Sequence, residues 1–194
     1  MKRSARSALL TALACLLAAC AHAPRLGEAA DALSPAEHLR LGASYEAQGM
    51  RSDAAGQYEA AVRASPSCAE CWLALGNLSF TEERLTDAEA SYRKALEASP
   101  HHPGAANNLA MVTLARNGSL PEAEALALSA LPNAGVLRPY VLDTLANIYL
   151  RQGRYADASA AIDQAEEAAP AYEPGMRAQL IETRKLINAA AAAK

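Results

Sequence analysis

The sequence has no excess of positive charge, no apolar run long enough to cross a membrane and no grouped metal or phosphate motif. Each shortage closes off a class of function. Its 194 residues carry 18 Lys and Arg against 21 Asp and Glu, a net charge of −3, so the basic footprint of a nucleic-acid-binding chain is missing. The longest nearly unbroken apolar run, Ala8 to Ala19, has twelve residues, whereas a membrane-crossing helix needs roughly 20. Four cysteines are present, but no second close pair joins Cys68 and Cys71 to complete a four-ligand zinc site. Trp72 follows that pair where haem attachment would need a histidine. The histidines are His22, His38, His101 and His102. None stands at a spacing from a serine or acid that suggests a nucleophile and its base. A glycine-rich phosphate loop is also missing. These shortages argue against an enzyme, and against a metal, a cofactor or a small-molecule substrate.

What is present begins with a leader. Lys2, Arg3 and Arg6 precede the apolar run, the pattern of a secretory signal over residues 1–19. At its end, Leu17, Ala18, Ala19 and Cys20 resemble the lipobox of bacterial lipoproteins. That resemblance implies acylation of Cys20 and cleavage just before it; the alternative is an ordinary secreted protein. Several acyl chains hold a protein at a bilayer, each buried methylene contributing about 0.8 kcal/mol. Ala21 in place of Asp implies, by resemblance to lipoprotein sorting, the outer membrane. Residues 20–34 show no sustained period and read as a flexible lipidated tether. Without the leader, 15 basic residues face 21 acidic ones, a net charge near −6.

Shifting the mature chain against itself by 34 residues exposes a repeat. The first copy, 35–68, has Leu41, Gly42 and Tyr45, then Ala54, Tyr58, Ala61 and Pro66. The second, 69–102, has Trp72, Leu75 and Gly76, then Ala88, Tyr92, Ala95 and Pro100. A third, 103–138, keeps Leu109, Ala110, Ala123 and Ala130, and a fourth, 139–172, keeps Leu145, Ala146, Tyr149, Ala158, Ala165 and Pro170. These residues resemble the tetratricopeptide repeat (TPR). The expected fold is all-α, a right-handed α-solenoid of about four helix hairpins, with residues 173–194 as a capping helix and frayed tail.

The physical basis is independent of the name. Small residues (Gly42, Gly76, Ala110, Ala146 facing Ala54, Ala88, Ala123, Ala158) let helix axes approach to about 8–10 Å. Larger ones (Leu41, Tyr45, Tyr58, Trp72, Leu75, Tyr92, Leu109, Leu145, Tyr149, Ile162) recur at helical spacing and are expected in the core. Pro66, Pro100 and Pro170 should end the second helices. Equivalent alanines are 34 apart from Ala54 to Ala88 but 35 apart from Ala88 to Ala123 and from Ala123 to Ala158. One extra residue falls near Asn117 and Gly118, another between Pro132 and Gly135. They are either tolerated loop insertions or a change of pitch that shapes a site between the last two repeats. The capping segment, from about Pro174 to Asn188, is expected to cover the last repeat with Met176, Leu180 and Ile187, with no function of its own.

Two features could carry function. Cys68 and Cys71, at the start of a helix, have α carbons roughly 5 Å apart, within disulfide range. A structural disulfide, a reduced pair and a redox-active pair all remain open. The second feature follows from the resemblance, which implies a concave groove lined by the second, fifth, ninth and twelfth residues of each repeat. Here these are Leu39, Ala43, Glu46, Glu70, Leu73, Asn77, Phe80, Asn107, Met111, Leu114, Tyr140, Asp143, Asn147 and Leu150. Asparagine can pair with the backbone of an extended peptide, and Phe80, Leu114 and Leu150 offer pockets. No lysine stands among them, which disfavours the terminal-carboxylate clamp of the chaperone-adaptor subgroup.

Lipobox, tether and repeats together resemble the envelope lipoproteins that assemble outer-membrane machines, including pilotin-like proteins of type IV pili. The expected function is a membrane-tethered scaffold that recruits a protein or peptide partner in the envelope. The alternatives are a redox-linked accessory lipoprotein using Cys68 and Cys71, and an accessory in peptidoglycan or polysaccharide export.

Overall fold

The computed structural model describes residues 33–170 and 173–193. The signal segment, Cys20 and most of the tether lie outside them. The chain divides into residues 1–34 and 35–194, and the second unit holds all the helices described here.

Nine α-helices occur among the described residues, and no strand. They are α1 (Pro35–Ala47), α2 (Arg51–Ala64), α3 (Ala69–Thr81), α4 (Leu85–Ala98), α5 (Pro103–Ala115), α6 (Leu120–Ala130), α7 (Arg138–Arg151), α8 (Tyr155–Ala168) and α9 (Pro174–Ala192). Consecutive helices pair as four hairpins, and α9 packs on α7 and α8.

Turn chemistry sets the hairpins. Each first helix closes through a residue in the left-handed region: Gly49, Glu83, Asn117 and Gly153, with φ of 76°, 60°, 55° and 73°. The next residue's N–H then reaches back, from Met50 to Tyr45 O, Arg84 to Ser79 O, Gly118 to Thr113 O and Arg154 to Tyr149 O. This closes the helix C-terminus and reverses the chain. The prolines act through the residue before them. Ser65, Ser99 and Ala169 have ψ of 89°, 92° and 126°, outside the helical range, so α2, α4 and α8 end just before Pro66, Pro100 and Pro170.

The third hairpin differs at both places where the spacing lengthens. Gly118 and Ser119 form a longer turn, and the Ser119 side chain accepts the N–H of Glu122, capping α6. The corresponding residues Met50, Arg84 and Arg154 make no side-chain cap. At its other end α6 stops after 11 residues, and Pro132 and Gly135 lie in two 3-10 turns, Leu131–Asn133 and Gly135–Leu137.

Packing inside each hairpin turns on one contact. A Cβ on Gly42 would lie 2.4 Å from Tyr58 Cε1, and one on Gly76 would lie 2.6 Å from Tyr92 Cε1. Neither ring could remain where it is. In the third and fourth hairpins the first helix carries Ala110 and Ala146 instead, and the tyrosine position holds Ala127 and Ile162, all fully buried. Losing the ring makes room for the methyl.

Tyr58, Tyr92, Leu109, Leu145 and Ile162 lie in the core, but Leu41, Tyr45, Trp72, Leu75 and Tyr149 are only half-buried. Trp72 Nε1 donates to Pro66 O at 2.8 Å, and Tyr149 carries the Arg154 guanidinium 4.2 Å above its ring. Each ring thus makes a polar or cation contact as well as an apolar one. Met176, Leu180 and Ile187 of α9 join Ala161, Ile162 and Ala165 in the last core cluster; each large side chain buried there contributes about 1.5–3 kcal/mol. The alanine-rich end, expected as a frayed tail, is helical to Ala192, in keeping with alanine's helix preference.

The glycine contact gives a signed prediction. Gly76→Ala should destabilise the protein by about 1–3 kcal/mol through overpacking against Tyr92. In a Tyr92→Ala background the same change should become stabilising, by roughly 0.5–1 kcal/mol, from helix propensity alone. Urea unfolding of the four variants measures the coupling.

Candidate protein-binding groove

A groove of about 830 Å³ runs across the first helices of the last three hairpins and reaches α9. Of the residues expected there, Leu73, Asn77 and Phe80 line it from α3, Asn107, Met111 and Leu114 from α5, and Tyr140, Asp143 and Asn147 from α7. Helical spacing places them together: positions three to four apart share a face, and α3, α5 and α7 present that face side by side.

Five expected residues lie elsewhere. Leu39, on α1, packs against the clusters of Tyr58, Leu78 and Cys71 on α2 and α3. Ala43 is exposed outside the groove wall. Glu46 accepts the Tyr58 hydroxyl at 2.8 Å, and Glu70 pairs with His102 Nε2 at 2.9 Å. Leu150 packs on the core of the last hairpins. The first hairpin supplies none of the lining, since the groove begins at α3.

The wall also contains residues that repeat positions did not single out: Asn108, Thr144, Arg151, Leu137 and Gln179. Leu137 comes from the irregular segment after α6, and Gln179 from the capping helix, which therefore does more than cover the end. Asp143 is buried, its carboxylate accepting from Gln179 Nε2 and from the Thr183 hydroxyl. It ties α7 to α9 and is not free to meet a partner. Arg151 donates to Leu114 O at 2.7 Å and to the Asn117 side chain, joining the last two hairpins.

A side pocket of about 240 Å³ opens from the groove between Asn77, Phe80, Thr81, Tyr92, Asn108 and Met111. Its polar wall is a chain of bonds: the Tyr92 hydroxyl donates to Asn77 Oδ1 at 3.0 Å, and Asn108 Nδ2 donates to the same oxygen at 2.8 Å. Burial pushes the Tyr92 pKa up to about 12. Tyr58 moves the same way, through burial and then its bond to Glu46. At the far side the Tyr140 hydroxyl donates to Glu173 at 2.9 Å, a bond that raises its pKa as well.

His102 is the N-cap of α5, its Nδ1 accepting the Ala105 N–H at 3.2 Å. His38 is buried, its Nδ1 2.8 Å from Gln57 Oε1. Cys68 and Cys71 form a disulfide with α carbons 5.3 Å apart. Cys68 Sγ also accepts the Cys71 N–H, capping α3, and Cys71 is fully buried among Ala61, Val62 and Leu75. Among the described residues no cluster of three or more His, Cys, Asp or Glu could hold a metal ion, and no helix is long and apolar enough to cross a membrane.

A stack of helix hairpins in which α3, α5 and α7 share one open groove is the architecture of a protein-interaction scaffold. The chain belongs to the tetratricopeptide-repeat family, whose model matches residues 39–103, 83–136 and 144–181. Solved structures share the fold. Pseudomonas aeruginosa PilF is 22% identical, with a TM-score of 0.64 over 80% of this chain and 72% of that one. PilW, described as a widely conserved type IV pilus biogenesis factor, is 19% identical, with a TM-score of 0.66 over 81% and 78%. MamA is 19% identical, with a TM-score of 0.62 over 72% and 80%. No curated protein matches the sequence.

The buried phenols predict a stability loss in alkali. The unfolded chain releases tyrosine protons near pH 10, whereas folded Tyr92 holds its proton to about pH 12. Above pH 10 the folded state therefore binds more protons, and stability falls as pH rises toward 12. Urea unfolding from about pH 8 to 12 should show this fall, and Tyr92→Phe should make it shallower.

Proposed function

We propose that this scaffold is a lipid-anchored protein of the bacterial envelope that holds an extended segment of a partner protein in its groove and serves assembly of an outer-membrane machine. The observation that carries the reading is the continuous groove from α3 to α9, with apolar walls and side-chain amides in one surface. Such a surface suits a polypeptide, which presents backbone donors and acceptors together with apolar side chains. The likeness to PilF and PilW supports an envelope setting, and the lipobox-like Leu17 to Cys20 supports an acyl anchor.

The redox-linked alternative rests on the Cys68–Cys71 disulfide. Thiol exchange needs an accessible sulfur. Full burial of Cys71 and the capping role of Cys68 favour a bond that fixes the start of α3, and so support the scaffold reading.

Photo-crosslinking in the native cells tests the groove. Probes at Phe80 and Leu114 should trap a partner protein that a probe at the exposed Glu97 does not; adducts from Glu97 alone would reject the groove as the contact face. The anchor is tested separately. Cys20→Ser should abolish incorporation of labelled fatty acid and release the protein from the membrane fraction, and an unchanged distribution would reject lipidation at Cys20.

A further inference from the structure

The outer face of α9 is covered by nothing among the described residues. Leu180 takes the place in α9 that Leu41, Leu75, Leu109 and Leu145 take in the first helices of the hairpins, and it is buried with Met176 in the last core cluster. The next residue breaks the pattern. Where the hairpins have Gly42, Gly76, Ala110 and Ala146, α9 has Ile181, which is 52% exposed, and Leu186 further along is 57% exposed. Isoleucine is too large for the close contact that Gly42 and Gly76 make with a tyrosine ring, so this face is not shaped for an ordinary hairpin partner. With the exposed alanines beside them, Ile181 and Leu186 give an apolar outer face where the end of a solenoid normally presents a polar one.

The charges on that face specify what fits it. Ala178, Glu182, Lys185 and Ala189 are all exposed and follow one another at spacings of four, three and four. They form one line along the helix, with Ile181 on one side of it and Leu186 on the other. The line is complementary to itself. Laid antiparallel on a second copy, it sets Ala178 against Ala189 of the second copy and Glu182 against Lys185 of the second copy. A parallel two-fold would set like charges together, and a helix carrying charge of one sign would match half of the line and repel the other half. Within one chain Lys185 Nζ already lies 2.7 Å from Glu182 Oε1. The antiparallel two-fold turns two such pairs into a ring of four alternating charges. The alanines let the helix axes approach to about 8 Å, which takes Ile181 and Leu186 of both copies out of water.

We infer that α9 pairs antiparallel with α9 of a second copy of this chain. A helix of 19 residues is about 28 Å long. One such pair is smaller than a standard stable interface, so the association is weak and reversible. It does not depend on the groove reading above.

Photo-crosslinking of the full-length protein in the native cells captures a contact of this kind. A probe at Leu186 or at Ile181 should give an adduct of twice the chain mass whose peptides come from this chain alone. Glu182→Lys and Lys185→Glu, each on its own, set four like charges together and should lower the yield at least about tenfold. Co-expression of the two variants should restore it, because each then supplies the charge that the other lacks. Both positions are exposed, and the recovery of the mixed pair shows that neither variant is merely unfolded. An adduct with a different protein, no adduct from either probe, a yield indifferent to the two substitutions, or no recovery in the mixed pair would overturn the inference.

Discussion

The distance at which the two helices of a hairpin can meet governs the rest of this molecule. At Gly42 and Gly76 the absence of a side chain lets a tyrosine ring lie against the neighbouring backbone, and at Ala110 and Ala146 a smaller partner, Ala127 or Ile162, leaves room for the methyl and the contact stays fully buried. Hairpins packed that tightly stack in a regular series, and each joins the next through its large residues. The stacking leaves α3, α5 and α7 side by side, and the face they share is the groove. The surface that meets a partner is thus a by-product of how the core closes.

Links between neighbouring hairpins hold that face in register. Arg93 bridges to Glu122, Arg154 to Glu124 and His102 to Glu70, each at 2.9 Å, and Arg151 fastens α7 to the end of α5. The two exposed arginine–glutamate pairs contribute only about 0–1 kcal/mol each, so their effect is on geometry more than on stability. Asp143 is different. It is buried and bonded to two residues of α9, so the capping helix and the floor of the groove are ordered together.

Much of the fold could be read in the sequence because its rules are local. Proline turns the preceding residue out of the helix, small residues recur at one spacing, and the count between Ala88, Ala123 and Ala158 located both irregularities. The groove was less legible. Repeat position gave nine lining residues, yet Leu39 and Leu150 are drawn into core contacts by neighbours distant in sequence. Glu46 and Glu70 are occupied by Tyr58 and His102. Leu137 and Gln179 line the groove because an irregular segment and a capping helix pass beside it, and no repeat template contains either. Asn108 is a near miss: its neighbour Asn107 was singled out, but only the packing of α3 on α5 shows that Asn108 bonds to Asn77.

The central claim is that the face shared by α3, α5 and α7 is the one that engages protein. Its most direct measurement is a quantitative comparison, in the native cells, of the protein that co-isolates with Leu114→Arg and with Glu97→Arg, the two variants being expressed and folded equally. The account predicts that the charge at Leu114 removes the co-isolating partner while the charge reversal at Glu97 leaves it in place. Loss with Glu97→Arg and retention with Leu114→Arg would contradict it.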